Sequence, residues 1–458
     1  MPDGNIGASF SRSTDQYVTE EHMSQNALKR LGNRNQNLMS QALPYFIAVI
    51  VFRLLLTFIA PYGIDMAGYR AWSNYLAEYG PSQLYGNSGF HIVYAPFFQY
   101  FLWLTGALKS SLSLSPAGHA YLIKMWSVVF ECLGGFLIYK LALKYDKPRQ
   151  GIVAGLIYVA NPGVWINSSV WGQFDSIPAT LLLGVLYLFE TKRHNLAALL
   201  FLVAVLTKPQ SGLLLPVVLA LYFKGFRWDA KSIFKLITGL FSGILLYLAI
   251  VLPFYIPTSK AEHLPGFIDP FYWLFDLYSR SIKDYPYGTA NAFNLWTLLG
   301  GQIQEDSLPF MGLSYFWWGN IFLLMGLAFA FLCLIKGGSR LYTFAYFSFL
   351  VQFSAFFFMT KMHERYLLPA IIFITLCAVF DRQHILTASL LSFCVFFNHL
   401  YLYILSFSDH YWLDRYDGLS MIFAFITLLT YGLSLYNGYR IFIKGGPSNI
   451  NLKRGVLK

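Results

Sequence analysis

The chain has 458 residues, of which 56% are hydrophobic and only 12% are charged. Because an ordinary soluble domain carries about 25% charged residues, this composition excludes a soluble globular protein and indicates a membrane protein. The formal net charge of +11 does not indicate nucleic-acid binding, since the basic residues form short clusters between apolar runs instead of one stripe.

Long apolar runs follow one another along most of the chain. A run of about 18 residues can cross a bilayer as a helix, and these runs lack the alternation of barrel strands. The sequence therefore predicts an all-α fold, a polytopic transmembrane protein with about twelve spans. We place the spans at residues 43–61, 121–143, 151–168, 175–190, 195–207, 211–223, 234–256, 315–335, 341–359, 366–380, 385–405 and 417–437.

The apolar stretch 93–108 decides the topology. If it is a re-entrant or interfacial segment, about 21 of the 33 Lys and Arg residues fall on the same side as both termini, and about nine fall on the opposite side. Because basic loops stay in the cytoplasm, we expect that 93–108 does not cross and that both termini are cytoplasmic. The chain then has a cytoplasmic tail 1–42, a transmembrane domain 43–437 and a basic cytoplasmic tail 438–458.

This topology gives the outer face two long loops, 62–120 and 257–314. Functional residues concentrate in loops that a rigid scaffold positions, so we expect the functional site on this face. Polar residues recur there at the outer ends of the predicted spans, where they need partners because their neighbours are apolar.

Asp65 comes soon after the first predicted span and is followed four and seven residues later by Tyr69 and Trp72. On a helix this spacing puts both aromatic side chains on the face of the carboxylate. A carboxylate at the membrane interface can act as general base on a hydroxyl acceptor, with the aromatic residues binding that acceptor. The alternative is a helix N-cap whose aromatic neighbours anchor the helix at the interface.

Trp171, Gln173 and Asp175 stand at the outer end of the third predicted span, close to the amides of Asn161 and Asn167. Polar groups at a membrane boundary need partners, so they line a wet cavity or cap the next helix. Aromatic faces, amides and carboxylates are also the groups that bind sugar rings and hydroxyls. We therefore consider Trp171, Gln173 and Asp175 candidate sugar-binding residues, with a turn capped by Asp175 as the alternative.

Lys208 and Gln210 interrupt a pair of short apolar spans on the outer side. A lysine on this side runs against the positive-inside trend, so we expect it to contact an anionic group or Asp175. Snorkelling of the lysine to the interface is the alternative. Both residues are candidates for binding the sugar or the acceptor.

Lys361, His363, Glu364 and Arg365 form a polar group at the outer end of the ninth predicted span. Together they could bind a lipid-linked phosphate, with a forked contact from Arg365 and a further donor from His363. A purely structural ion-pair cluster of Lys361, Glu364 and Arg365 is equally compatible with the sequence. The second histidine of an HExxH motif is missing, so a metal site has little support.

Asn291 and Asn294 belong to the second long outer loop and could shape binding of the acceptor or the donor. An ordered turn that caps a short helix explains them nearly as well. Three charged residues, Arg53, Lys124 and Glu131, lie inside predicted spans, where a charge is costly unless it has a partner. We expect a structural role for these three.

The order of these motifs resembles the C-type glycosyltransferase (GT-C) superfamily, whose multi-span enzymes use polyprenyl-phosphate or dolichyl-phosphate sugars. The resemblance covers about residues 43–369 and rests on the acid after the first span, a Tyr-x-Pro-like helix start at 94–96, and the segments 171–175 and 363–365. The chain departs from the family's usual Pro-Pro pair by having Ala95-Pro96. It also lacks the paired Asp-Glu of protein O-mannosyltransferases, which weakens the expectation of protein mannosylation.

The resemblance implies that Asp65 is the base that activates the acceptor, and that His363 and Arg365 face the donor phosphate. It implies an inverting hexosyltransferase that moves a mannose- or glucose-like sugar from a polyprenyl-phosphate donor to a hydroxyl of a glycan, lipid or protein on the outer or lumenal face. No cofactor is implied, and the need for a divalent metal stays open. We expect a multi-pass protein of a bacterial plasma membrane, in contact with membrane lipid and not with nucleic acid.

A secondary transporter or flippase of a lipid-linked sugar is the main alternative, because about twelve spans with a few buried charges also fit such a protein. A transporter is expected to have two similar halves and polar breaks near the membrane midplane. Here the halves differ and the polar groups gather at one face, so the enzyme is favoured. A non-catalytic scaffold would have no reason to place Asp65, Asp175 and His363 on one side.

Overall fold

The computed structural model describes residues 36–87, 89–224, 226–259, 265–338 and 340–445. Most of the expected tail 1–42 and the end of the expected tail 438–458 lie outside the described residues. The chain divides into two compact units, residues 1–48 and 49–458. The described part of the first unit is helical, and every contact reported below lies within the second unit.

Helices make up most of the described chain, and its strands have two residues each. The α-helices are α1 Gln36–Leu56, α2 Gly63–Tyr79, α3 Pro96–Ser111, α4 Pro116–Leu143, α5 Pro148–Ala160, α6 Pro162–Trp165, α7 Ser176–Glu190, α8 His194–Thr207, α9 Leu215–Tyr222, α10 Ala230–Val251, α11 Asp269–Lys283, α12 Leu295–Leu298, α13 Tyr315–Gly337, α14 Leu341–Phe358, α15 Leu368–Phe380, α16 His384–Ser406 and α17 Gly418–Gly438. The strands are β1 Thr289–Ala290, β2 Pro309–Phe310, β3 Leu313–Ser314 and β4 Met362–His363.

Seven helical segments of the described chain are long and apolar enough to cross a membrane. They are Gln36–Leu56, Pro116–Leu143, Ala230–Phe254, Tyr315–Gly337, Leu341–Phe358, His384–Ser406 and Gly418–Lys444. Four further apolar segments are shorter, namely Ser176–Glu190, His194–Thr207, Pro209–Tyr222 and Leu368–Phe380. The protein is therefore the polytopic, all-α membrane protein that the sequence predicts, with part of the expected spans too short to cover the hydrocarbon layer alone.

The third predicted span, 151–168, is interrupted in the structure. α5 ends at Ala160 because Asn161 precedes Pro162, and the residue before a proline is biased away from helical backbone. Asn161 is accordingly extended, with φ −63° and ψ 125°. The short α6 and a π-turn, Ile166–Trp171, take the place of the outer half of the expected helix.

α14 lies at the centre of the bundle, since 94% of its 18 residues are buried. It packs against α13 and α15, and aromatic side chains fill much of the space around it. Phe357, for example, stacks on Tyr431 of α17 with ring centres 5.1 Å apart. This rigid core fixes the loop between α14 and α15, which carries several candidate site residues.

The ambiguous stretch 93–108 is largely α3, which packs closely against α2. A side chain at Gly106 would bring its Cβ within 2.1 Å of the Ser73 carbonyl oxygen, so only glycine permits this approach. Ser73 Oγ also donates to the Leu102 carbonyl at 2.7 Å. α2 and α3 therefore form one unit in the first long loop, and the expectation that 93–108 does not cross stays a prediction.

The second long loop reaches the α14–α15 loop through a short parallel ladder. β1 pairs with β4, so that Thr289 is opposite Met362 and Ala290 is opposite His363. α11 and α12 lie in the same loop, on either side of β1. The ladder therefore places residues of the second long loop next to the segment 363–365.

A buried ion pair joins α1 to α4. Arg53 contacts Glu131, and its guanidinium also donates to the hydroxyls of Ser168, at 2.8 Å, and Ser169. Ser176 at the start of α7 donates to the other oxygen of Glu131. Two of the three charges that the sequence leaves without partners, Arg53 and Glu131, are therefore partners of each other, and they hold the π-turn to the bundle.

Substituting Arg53→Met is expected to destabilise the protein by about 3–5 kcal/mol, because Glu131 would remain buried without a counter-charge. The double variant Arg53→Met/Glu131→Gln is expected to recover most of that loss. Arg280→Met is the control, since its pair with Asp276 is exposed and an exposed pair contributes about 1 kcal/mol or less. Unfolding of the purified variants in detergent measures the difference, and equal effects of Arg53→Met and Arg280→Met would contradict the assignment.

Candidate functional site

A π-turn and a left-handed glycine shape the segment that carries Trp171, Gln173 and Asp175. Residues 166–171 form the π-turn, and Gly172 follows with φ +99°. π-Turns are rare in helical segments, and those that do occur are often found at functional sites. Because Gly172 redirects the chain, the side chains on both sides of it reach the same carboxylate.

Asp65 lies in the first turn of α2 and is partly buried. Its Oδ2 accepts hydrogen bonds from Trp171 Nε1 at 2.7 Å and from Gln173 Nε2 at 2.6 Å. Among the described residues these are the only hydrogen bonds of the carboxylate. Tyr62 holds the N-cap position of α2, so Asp65 does not cap the helix. The carboxylate is therefore oriented through one oxygen, and Oδ1 is available to a substrate.

Tyr69 and Trp72 form a layer of buried rings behind this carboxylate. The Tyr69 hydroxyl donates to Gln173 Oε1 at 2.9 Å, while the Gln173 amide group donates to Asp65. The Trp72 ring packs edge-on against Tyr69, with ring centres 5.7 Å apart. The two aromatic residues of the predicted helical face therefore help to orient Gln173 and, through it, Asp65.

Substituting Gly172→Ala is expected to destabilise this segment. The backbone at φ +99° disfavours any side chain, which costs about 1–3 kcal/mol, and the added Cβ would lie 2.6 Å from Met66 Cε. Gly432→Ala in α17 is the matched control, because its added Cβ meets no atom within 4 Å. We expect a lower unfolding midpoint for Gly172→Ala only; equal midpoints for the two variants would show that Gly172 is not under this constraint.

Asp175 and Lys208 form a buried ion pair, one of the two contacts that the sequence suggests for this lysine. The second oxygen of Asp175 accepts from Asn167 Nδ2 at 3.2 Å, and the same amide nitrogen lies 3.0 Å from His399 Nε2. Asp175 occupies the N-cap position of α7 without a capping hydrogen bond. The carboxylate is therefore used to hold Lys208 and not to cap the helix.

A small cavity of about 20 Å³, room for about one water molecule, adjoins this ion pair. Gln210, Gln352 and Tyr366 line it together with Lys208, and the rest of the wall is mostly apolar. Oε1 of Gln210 is buried and has no hydrogen-bond partner among the described residues. A buried acceptor without a partner costs roughly 1–3 kcal/mol, so a donor from water or a ligand is expected in this cavity.

His363, Glu364 and Arg365 lie together in the loop between α14 and α15. The His363 ring packs edge-on against Tyr285, with ring centres 4.6 Å apart. Glu364 Oε1 accepts a hydrogen bond from Arg365 at 2.5 Å. Nε of Arg365 is buried and has no partner among the described residues. The guanidinium therefore retains a donor that a ligand can use.

Burial controls the protonation of this loop. It lowers the pKa of His363 well below its usual range, and the positive charges of Arg365 and Lys208 add to this effect, so the imidazole is neutral at pH 7. Burial raises the pKa of Glu364, although Arg365 opposes the shift. Burial alone would lower the pKa of Arg365, but Glu364, Tyr94, Tyr366 and Asp65 together outweigh it and raise the pKa of the guanidinium. The loop thus offers a permanent cation and a neutral imidazole.

Lys361 does not join the cluster around Arg365. Its Nζ lies 3.4 Å from Asp306 Oδ2, and its backbone is left-handed with φ +64°. It lines a separate open groove that includes Trp317. The structure therefore brings together three of the four residues of the expected phosphate-binding group, and the fourth is paired elsewhere because Asp306 supplies its counter-charge.

The side chains of Asn291 and Asn294 make hydrogen bonds within the protein. Asn294 caps α12, as the alternative explanation predicts, and its amide nitrogen donates to the Phe356 carbonyl at 3.1 Å. Asn291 has φ +63° and exchanges hydrogen bonds with Gln302 and with the backbone of 411–413. Both amides therefore hold loops in place around the cluster.

Tyr94, Lys208 and Tyr366 lie close together, and the charges of Asp65 and Arg365 both act on Tyr94 and Lys208. Lys208 Nζ is 5.8 Å from the ring centre of Tyr94 and 5.5 Å from that of Tyr366. The guanidinium of Arg365 lies 5.4 Å from the Tyr366 ring centre. Burial raises the pKa of Tyr94, while Arg365 lowers it and Asp65 raises it. Tyr94 therefore lies within the electrostatic reach of both charged groups.

Tyr62 and His399 belong to this neighbourhood although the sequence did not identify them as site residues. Tyr62 stacks on Trp171 with ring centres 4.0 Å apart. His399 is buried in α16 and contacts Asn167. The adjacent polar residues Asn398 and His399 inside an apolar run were a usable signal, since polar residues in a span need a partner.

The site offers cations, amides and one oriented carboxylate. Within the ranges that the structure describes, no group of three or more His, Cys, Asp and Glu side chains could hold a metal ion. Its groups without partners, Arg365 Nε and Gln210 Oε1, suit a ligand that has both acceptor and donor oxygens. A phosphate bearing a sugar is such a ligand.

Comparison with known proteins finds likeness to solved structures. No family model matches the chain, and no curated protein matches it. Among solved structures, the chain is similar to the crystal structure of the Archaeoglobus fulgidus oligosaccharyltransferase tethered through a disulfide bond to an acceptor peptide containing the NVT sequon. The TM-score is 0.41 at 13% sequence identity, over 86% of this chain and 55% of the archaeal one. The chain thus spans little more than half the length of that protein.

Proposed function

We propose that this protein is a GT-C-type glycosyltransferase that moves a mannose- or glucose-like hexose from a polyprenyl-phosphate donor to an acceptor hydroxyl. One observation carries the proposal: the oriented carboxylate of Asp65 and the guanidinium of Arg365, which has an unpartnered donor, belong to one neighbourhood. A base for the hydroxyl and a cation for the phosphate are the groups that a displacement at an anomeric carbon uses.

Asp65 acts as the general base in this reaction. As the acceptor oxygen bonds to the anomeric carbon, its proton moves to Oδ1 of Asp65. The bond between that carbon and the phosphate oxygen breaks, and its electron pair leaves with the polyprenyl phosphate. A single displacement of this kind inverts the anomeric configuration. Trp171 and Gln173 hold Oδ2, so the free oxygen keeps its direction.

Arg365 stabilises the leaving phosphate. The charge of Arg365 is fixed, and its Nε has no partner in the described part of the chain, so a hydrogen bond to an incoming phosphate oxygen replaces no described contact. His363 can add a neutral N–H donor from the same loop. The sugar lies toward Lys208, Asp175 and Gln210, where Oε1 of Gln210, without a partner among the described residues, is an acceptor for a hydroxyl.

The membrane setting follows from the charge pattern. We propose that the site opens on the outer face of a bacterial plasma membrane and that both termini are cytoplasmic, because the basic loops lie at the other ends of the helices. The isoprenoid tail of the donor then stays in the lipid, while its phosphate reaches the interface. The acceptor is a glycan, a lipid or a protein.

The proposal is tested by reconstitution of the full chain in lipid nanodiscs. A polyprenyl-phosphate donor with a radiolabelled hexose is incubated with the protein and a panel of glycan, lipid and peptide acceptors. We expect label in an acceptor and release of polyprenyl phosphate. Movement of the donor between leaflets of liposomes without any transfer would instead support the flippase alternative.

A further inference from the structure

Three aromatic residues that the proposed reaction does not use lie beside His363. The ring centre of Trp412 is 6.0 Å from that of Tyr285 and 6.3 Å from that of Tyr287. Tyr285 itself packs edge-on against His363. Trp412 is 44% exposed, whereas the two tyrosines are partly buried. The group therefore presents a large aromatic face to solvent next to the proposed site.

The same segment also reaches the side of the base. The ring centre of Tyr411 lies 6.0 Å from that of Tyr62 in an edge-on contact. Tyr62 stacks on Trp171, whose indole nitrogen donates to Asp65. Tyr411 is therefore linked to Asp65 through Tyr62 and Trp171, and Trp412 is linked to the loop that holds Arg365 through Tyr285.

Hydrogen bonds fix the backbone on both sides of Trp412. Asn291 Nδ2 donates to the Tyr411 carbonyl at 2.8 Å, and Asn291 Oδ1 accepts from the Leu413 N–H at 3.1 Å. Gln302 donates to the same Asn291 oxygen at 2.7 Å. The exposed ring is therefore part of a preorganised surface. Binding a ligand there costs little entropy, because the loop is already ordered.

The chemistry of this surface favours a carbohydrate. Two exposed carboxylates, Asp409 and Asp414, belong to the same loop as Trp412, and charged groups in that loop disfavour an alkyl chain. A pyranose has apolar C–H faces that pack on aromatic rings and hydroxyls that bond to carboxylates and amides. Aromatic rings also supply large contact area at small entropic cost. A saccharide therefore satisfies both the rings and their polar surroundings.

We propose that Trp412, Tyr285 and Tyr287 form an acceptor subsite that binds pyranose rings, so that the acceptor is a saccharide. This inference rests on the proposed function, because it names the acceptor of that reaction. The sugar of the acceptor lies against Trp412, and its terminal hydroxyl points to Oδ1 of Asp65. Asn291 is then a positioning residue that acts through the backbone of Trp412.

The test uses the full chain in nanodiscs and saturation-transfer NMR with four probes: mannotetraose, cellotetraose, maltotetraose and chitotetraose. We expect at least one to bind, with affinity reduced about tenfold or more in Trp412→Ala and largely retained in Trp412→Phe, which keeps an aromatic face. Trp317→Ala is the matched control, because Trp317 is also exposed, at 59%, but lines the separate groove. It is expected to bind the same probe as wild type does.

Two kinds of result would overturn the subsite. One is that none of the four saccharides binds; the other is that Trp412→Ala and Trp317→Ala bind equally well. Binding of an acceptor peptide or a polyprenol that depends on Trp412 would likewise replace the proposal. Failure of the proposed function gives a different result: no hexose is transferred from the donor, while saccharide binding that depends on Trp412 remains.

Discussion

Substituting Asp65→Asn is expected to lower hexose transfer by about 10²- to 10⁴-fold, the usual contribution of a general base. The amide keeps an oxygen that can accept from Trp171 or Gln173, so the fold of the segment should persist. It cannot take up the proton of the acceptor hydroxyl. The measurement is kcat/KM for transfer from a labelled polyprenyl-phosphate hexose, together with the unfolding midpoint in detergent.

Asp276→Asn is the matched control, because this carboxylate is exposed on α11 in the second long loop. We expect it to transfer sugar at the wild-type rate. Turnover of Asp65→Asn close to that of the control would remove Asp65 from the base role. A large fall in the unfolding midpoint of Asp65→Asn would show instead that the carboxylate is needed for folding of the loop.

Substituting Arg365→Ala is expected to raise the KM for the donor about 10- to 100-fold, since a hydrogen bond to a charged group contributes about 1.5–3 kcal/mol. The KM for the acceptor should change little, because the acceptor contacts Asp65 and the proposed aromatic subsite and not the guanidinium of Arg365. Arg365→Lys should be intermediate: it keeps the charge but loses the planar fork. Initial rates with each substrate varied in turn separate the two constants.

The alternative for Arg365 is a structural ion pair with Glu364, and one further variant distinguishes the two. Arg365→Ala leaves Glu364 buried without its partner, whereas Glu364→Gln/Arg365→Ala removes the stranded charge. A donor KM that returns to the wild-type value in the double variant would favour the structural role. A donor KM that stays high would favour phosphate binding. Arg280→Ala on the exposed face of α11 serves as the control for loss of a cation.

The long apolar helices could be predicted from sequence. In lipid the backbone has no water to bond to, so an apolar run that is long enough forms a helix, which satisfies its own hydrogen bonds. The helices α13, α14 and α16 begin and end within a few residues of their expected positions. The break at Asn161 was missed, since a proline near the end of an apolar run changes the path of the chain without changing its hydropathy. Hydropathy alone could not show the π-turn that follows.

Placement of the site on one face of the membrane stays a prediction, which rests on the short basic loops. The hydrogen bonds and ion pairs within the site could not be predicted. Trp171 and Gln173 reach Asp65 only because Gly172 adopts φ +99°, and Lys361 leaves the cluster because Asp306 of the distant second loop supplies its partner. The pair of Lys361 with Asp306 forms where β1 and β4 join the second long loop to the α14–α15 loop, and strands of two residues leave almost no pattern in the sequence.

The central claim is that the Asp65 and Arg365 groups face the two ends of one sugar–phosphate bond. A structure of the full chain in nanodiscs with a non-transferable polyprenyl-phosphonate hexose tests it most directly. We predict a phosphonate oxygen about 2.7–2.9 Å from a guanidinium nitrogen of Arg365, with the anomeric carbon facing Oδ1 of Asp65. A phosphonate bound elsewhere, or a sugar separated from Asp65 by packed side chains, would contradict the assignment.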